Sequence, residues 1–215
     1  MKYLKYLSAL LIFPLYSSTV IYSSVYVDVI NEVQVTDTSI IIDNNTITAI
    51  KQGFIDIDTN DELIDLRGYT LLPGLMDMHV HFGGEYQSKA KRPIKVERET
   101  EAILATQHAY KTLKVGFTTV RQLGDSGMVA ISLRDAINSN QIIGPRIFTS
   151  GKSIATTGGH ADPTNGLNSD SYEYPTAEDG VINGPYDAYA AVRQRYKDGA
   201  DAVSYTHLTL PTMVQ

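Results

Sequence analysis

The chain has 215 residues, 18 lysines and arginines against 24 aspartates and glutamates, and a formal charge of −6. An acidic balance without a basic patch argues against a nucleic-acid partner. Cysteine is absent, which excludes a disulfide, a thiolate nucleophile and cysteine-ligated zinc.

The first residues read as an export signal. Lys2 and Lys5 form a short basic region, and Leu7–Tyr16 is a ten-residue apolar stretch, short for a membrane span. The small residues Ser17, Ser18 and Thr19 follow, without an A-x-A-like cleavage site. Residues 1–22 are expected to be a signal peptide, and an uncleaved anchor ending near Tyr22 is the alternative. The expected location is periplasmic or secreted, with no stable membrane span once the signal is removed.

Residues 23–70 read as β structure. Val25–Ile30 alternates apolar and other residues, and Leu63–Leu66 is a further short strand. Ser39–Ile42 and Thr46–Lys51 are β-branched runs joined by Asp43-Asn44-Asn45, the chemistry of a hairpin turn. Gly53 and the polar stretch Asp58–Asp61 are expected to close that hairpin unit, and Gly68 to be a turn.

Leu71–Gly83, LLPGLMDMHVHFG, carries the chemistry. Pro73 and Gly74 mark the entry to a strand, where proline costs no ladder hydrogen bond. If Leu75–His81 is extended, Asp77, His79 and His81 share one face. Two imidazoles at i and i+2 on that face form half of a metal site.

A charged stretch, Glu85–Lys95, is expected to be a loop. Glu97–Leu113 then reads as a helix ended by Gly116, with His108 on it as a structural or surface residue. Phe117–Leu123 is a second strand, Gly124–Gly127 a turn, Met128–Asn138 a second helix and Arg146–Ser150 a third strand. This β-α-β-α-β order with short connections predicts parallel strands joined by crossover helices. Tyr186–Gly199 is a third helix, and GADAV at 199–203 opens a fourth strand.

PGLMDMHVHFGG resembles the first-strand signature of the amidohydrolase superfamily, with Met76 where that pattern has isoleucine or valine. GFTTVRQLG, LRDAIN, GPRIFTSG and ATTGGHADPTNG resemble, in order and spacing over residues 60–202, the branch holding imidazolonepropionase-like enzymes and metal-dependent Xaa-Pro-type dipeptidases. The resemblance implies a TIM-like (β/α)8 barrel with its site at the strand C-termini. It implies that His79 and His81 bind a divalent metal, zinc being the expected one, with one or two ions in the complete enzyme. It implies that His160, in the loop sequence TTGGH, contacts substrate. It also makes residues 23–70 part of a small β-sandwich beside the barrel. The reaction implied is hydrolysis of an amide-type C–N bond in a dipeptide or a cyclic amide, through a metal-bound water and an aspartate on strand eight acting as base. The substrate is thus a dipeptide or another small molecule.

One position departs from that pattern. The family has a lysine on strand four where this chain has Ser204. Val203–Thr212, VSYTHLTLPT, reads as the in-frame translation of a sequencing-library adapter, with Ala202 and Met213 compatible at its flanks. Residues 203–215 are therefore expected to be a non-native tail, in which His207 is no ligand. Residues 71–202 then hold the first three to four strands of a barrel that needs roughly 250 residues. The catalytic residues, and the other ligands, are expected beyond residue 202, and the 215-residue chain itself is expected to be inactive. A different class of reading stays open: a non-catalytic exported module that binds metal or a partner.

Overall fold

The computed structural model describes residues 18–83, 97–125 and 127–206. The chain divides into two compact units, residues 1–73 and 74–215. The expected leader through residue 17, the loop at 85–95 and residues 207–215 of the expected tail lie outside the described residues.

The first unit is a four-stranded sheet. Its strands are β1 (Thr19–Asp28), β2 (Val33–Asp43), β3 (Thr46–Gln52) and β4 (Glu62–Leu71), in the order β3-β2-β1-β4. β1 runs antiparallel to β2 and parallel to β4. The β2–β3 turn is Asn44-Asn45, both with positive φ, +48° and +63°. That is the primed two-residue turn whose twist matches the flanking strands. Val20, Tyr22 and Ile40 are buried, as are Ser23, Thr38 and Ser39. The buried hydroxyls have partners: Ser39 Oγ donates to the Gly53 carbonyl at 2.7 Å and accepts from Ile55 N–H at 3.1 Å.

Two expectations are corrected in this unit. Thr19–Tyr22, placed in the leader from sequence, belong to β1, and Val20 and Tyr22 lie in its buried face. Only Ser17 and Ser18 separate the apolar run that suggests a leader from the first residue of β1, so hydropathy alone sets no sharp boundary there. Gly68 is not a turn. It sits inside β4 with φ +97°, where the register with β1 shifts from Ser23↔Leu66 to Val25↔Thr70. Its N–H donates to Ser24 Oγ at 2.8 Å. A left-handed glycine is the usual solution for a bulge in a strand.

The second unit is mixed α/β. β5 (Leu75–Val80), β6 (Phe117–Gln122) and β7 (Arg146–Thr149) form a parallel sheet in the order β5-β6-β7. α1 (Arg98–Lys114) and α2 (Val129–Asn138) are the crossovers. One face of this sheet is covered: Val120 and Ile147 pack with Phe82, Ala105, Ala109, Val129 and Leu133. Ala105 and Ala109 are one helical turn apart and fully buried, so α1 approaches the sheet closely. The alternate residues of β7, Arg146 and Phe148, are exposed.

Asp125 begins α2. Its carboxylate accepts from the Gly127 N–H at 2.9 Å and the Ala130 N–H at 2.6 Å, satisfying donors that a helix start leaves free. α3 (Pro185–Asp198) has proline in its first turn and Gly199 at its end. It packs Ala191 against Ile154 and Ile182.

Residues 199–203 do not form a strand, contrary to expectation. The Asp201 carboxylate takes the Thr149 N–H at 2.9 Å, and the N–H groups of Asp201 and Ala202 both reach the Thr149 carbonyl. A side chain thus occupies the edge that a ladder would use. A two-residue strand, β9 (Tyr205–Thr206), instead runs parallel to β8 (Ile154–Ala155), a pairing that the sequence did not announce.

Candidate metal and substrate site

β5 carries the two histidines to the C-terminal end of the parallel sheet, His79 inside the strand and His81 just after it. Both are exposed. His79 Nε2 and His81 Nε2 lie 3.2 Å apart. Two nitrogens each about 2.0–2.1 Å from one zinc at a tetrahedral angle would be about 3.3–3.4 Å apart. The spacing therefore fits two ligands of one cation.

The tautomer of His81 follows from its other nitrogen. Nδ1 lies 3.0 Å from the Gly124 carbonyl oxygen, which can only accept, so Nδ1 carries the proton and Nε2 presents a lone pair. An imidazole held this way by a carbonyl is the common second contact of metal-ligating histidines. Asp77 shares the strand face but turns back, its Oδ1 accepting from the His79 N–H at 3.0 Å. Among the described residues no group of three or more histidines, aspartates or glutamates converges to hold a metal. The donor set fits a divalent cation by type and spacing, and supplies two of the three protein ligands that a catalytic zinc carries.

A cavity of about 570 Å³ adjoins the pair and is lined by His79, His81, His160 and Ser204 among others. The three residues singled out from sequence thus face one space. His160 is exposed on a loop that Asp162 holds together. The Asp162 carboxylate accepts from Gly158 N–H at 2.8 Å, Thr164 N–H at 2.9 Å and Thr164 Oγ1 at 2.6 Å. Burial opposes the charge on Asp162, but the bonds from Thr164 and Gly158 outweigh it and hold the carboxyl below its ordinary value.

Sequence reasoning missed several residues of this cavity: Arg98, Glu101, Asp125, Lys152 and Asp179 also line it. Lys152 Nζ pairs with Asp179 Oδ1 at 3.3 Å. Burial pushes the Asp125 carboxyl up, against the two N–H bonds that favour its charge. No local motif marks these positions; the fold brings four separate segments together. Two other residues have structural contacts. His108 Nδ1 bonds the Phe82 carbonyl at 2.8 Å, and Arg121 Nε donates to the Met78 carbonyl at 2.9 Å. His207 lies outside the described residues.

A parallel sheet with a histidine pair at its C-terminal end defines a class, and comparison with known proteins agrees. Residues 70–215 match the amidohydrolase family, and the chain belongs to it. Members of that family generally bind divalent metals. Among solved structures, the chain is similar to a Xaa-Pro dipeptidase with methionine bound in its active site: 64% identity, TM-score 0.85, covering 88% of this chain and 47% of that one. It is also similar to a prolidase complexed with N-methylphosphonate-L-proline, at 26% identity and TM-score 0.73, covering 87% of this chain and 46% of that one. Ochratoxinase from Aspergillus niger is 31% identical over 94 residues, 43% of this chain and 19% of that protein. The chain thus spans about a fifth of that curated relative and just under half of the two solved ones.

Proposed function

We propose that this chain is the N-terminal part of a divalent-metal amidohydrolase that cleaves the C–N bond of Xaa-Pro-type dipeptides. The observation that carries the reading is the 3.2 Å separation of His79 Nε2 and His81 Nε2 at a cavity that also holds His160. The 64% identity to a Xaa-Pro dipeptidase supports the substrate class.

On this reading β5, β6 and β7 are the first three strands of a (β/α)8 barrel, and residues 23–70 are part of the flanking β-sandwich. His79 and His81 hold the metal, zinc by preference, through Nε2. The Gly124 carbonyl keeps the lone pair of His81 turned toward it. A divalent ion there supplies carbonyl polarisation and a water acidified to a pKa of about 7. His160 offers a hydrogen bond to the substrate's carboxylate or carbonyl from a loop that Asp162 makes rigid. The cavity, about 570 Å³, is of the size that takes a small ligand. The remaining ligands and the general base lie on strands beyond residue 202. The leader reading at the N-terminus gives a periplasmic or secreted enzyme, and no helix of the described residues is long and apolar enough to cross a membrane.

The test uses the gene product continued past residue 202. Xaa-Pro dipeptides are offered before chelation, after chelation and after restoring zinc. Hydrolysis that disappears and returns with the metal supports the proposal. A metal-replete product that leaves every dipeptide intact overturns it, and favours the non-catalytic binding module. The 215-residue chain, titrated with zinc, is expected to bind weakly, because two imidazoles are its full set among the described residues; tight stoichiometric binding contradicts this.

A further inference from the structure

We infer that Gln122 is the positioning residue for His81. β5 and β6 pair as far as Val80↔Gln122, with the register shifting between Leu75 and Met76 and again between Asp77 and Val80, and a backbone bond from Leu123 N–H reaches the Val80 carbonyl at 3.3 Å. Beyond it the Gln122 side chain takes over. Its Oε1 accepts from Phe82 N–H at 2.9 Å, and its Nε2 donates to the Gly124 carbonyl at 3.0 Å. That carbonyl is the same one that accepts from His81 Nδ1. One amide therefore ties the peptide that follows His81 to the oxygen that orients the His81 ring.

The chemistry fixes which way the amide faces. Phe82 N–H requires an acceptor and the Gly124 carbonyl requires a donor, so only one flip satisfies both. Gln122 is fully buried, beside a core of Phe82, Val120 and Val129. Burying an amide costs free energy unless both ends are bonded, and here both are. The His108 Nδ1 contact to the Phe82 carbonyl, 2.8 Å, holds the next peptide, on the other side of the Phe82 Cα. An apolar side chain of similar volume would fill the space equally well, and would leave Phe82 N–H without its acceptor. The arrangement thus does something packing alone does not require: it sets the Gly124 carbonyl, and through it the Nδ1–H tautomer of His81.

The test is run on the 215-residue chain labelled with ¹⁵N at histidine, without metal first. Long-range ¹H–¹⁵N correlations report which ring nitrogen carries the proton, with His81→Asn providing the assignment. Wild type is expected to show His81 as Nδ1–H. A wild-type His81 protonated on Nε2 overturns the inference without any variant. Gln122→Met keeps the volume and removes both bonds. Gln122→Glu keeps the acceptor for Phe82 and turns an oxygen toward the Gly124 carbonyl. Both are expected to give a mixture of His81 tautomers while the amide dispersion of the rest of the sheet is retained. A folded Gln122→Met or Gln122→Glu chain with wild-type Nδ1–H at His81 overturns the inference. The metal arm rests on the ligand reading above. Zinc chloride is added, and the midpoint of the His81 shift is expected to rise about 10- to 100-fold in both variants, the usual loss when a second contact of a ligand is removed. An unchanged midpoint in the variants overturns the inference, whereas a wild type that shows no zinc response but keeps the Nδ1–H tautomer overturns the ligand reading and leaves the positioning role standing.

Discussion

The carbonyl oxygen of Gly124 lies 3.0 Å from His81 Nδ1, which joins the end of the second parallel strand to the end of the first. Gly124 has φ +141°, and a Cβ there would sit 2.3 Å from Ser153 Oγ and 3.8 Å from His81 Cε1. Ser153 has little room to move away, since its hydroxyl donates to the Leu123 carbonyl at 2.8 Å. Gly124→Ala is therefore expected to cost about 1–3 kcal/mol from backbone strain and to move the acceptor of His81. Urea denaturation measures the first effect, and the His81 ¹⁵N shifts measure the second. A variant as stable as wild type, with unchanged shifts, contradicts the account.

The loop of His160 gives a pH-dependent prediction. Asp162 has its carboxyl held below the ordinary value, despite burial, by hydrogen bonds from Thr164 and Gly158. Such a group stabilises the fold fully above its unfolded pKa of about 3.9, and the contribution is lost as the pH falls through the lower folded value. In Asp162→Asn, an NH2 replaces one acceptor oxygen and faces a backbone N–H. The substitution is expected to cost about 1–3 kcal/mol at neutral pH. The difference from wild type is expected to narrow as the pH falls below about 4. Urea midpoints across that range check it, and a gap that widens toward acid contradicts the assignment.

Much of the parallel unit was legible in the sequence because its signals are local. An apolar run entered at Pro73-Gly74 gave β5, the β-branched run closed by Gly124 gave β6, and Gly144-Pro145 marked the entry to β7; apolar residues at helical spacing gave α1, whose Ala105 and Ala109 the fold buries. Asn44-Asn45 announced the β2–β3 turn through the one conformation that asparagine tolerates well. The HxH pair was legible because period two alone puts both rings on one face. What the sequence hid depends on tertiary partners. Asp201 bonds to Thr149 across 52 positions and displaces the strand expected at 199–203. Gly68 sits in a bulge that only the β1–β4 register reveals. Asp125, Lys152 and Asp179 reach the cavity from segments that carry no motif. Gln122 looks like an ordinary strand residue until the Phe82 N–H and the Gly124 carbonyl are seen to share it.

Ser204 lines the same cavity as His79 and His81, and its carbonyl accepts from Ile154 N–H at 2.8 Å. A longer, basic side chain at this position would reach toward the histidine pair. An independent genomic read across codon 202 is expected to encode lysine at position 204 and to continue in frame far enough to close a barrel of roughly 250 residues. Genomic sequence that encodes SYTHLTLPT contradicts the adapter reading.

The central claim is that His79 and His81 are ligands of a metal that the hydrolysis requires. The most direct measurement is metal content per chain, taken on the same samples as Xaa-Pro turnover, for the gene product continued past residue 202 and for its His79→Asn and His81→Asn variants. The account predicts one or two bound divalent ions in the unsubstituted protein, with metal and turnover lost together in each variant. Variants that keep full metal content and full turnover would contradict it.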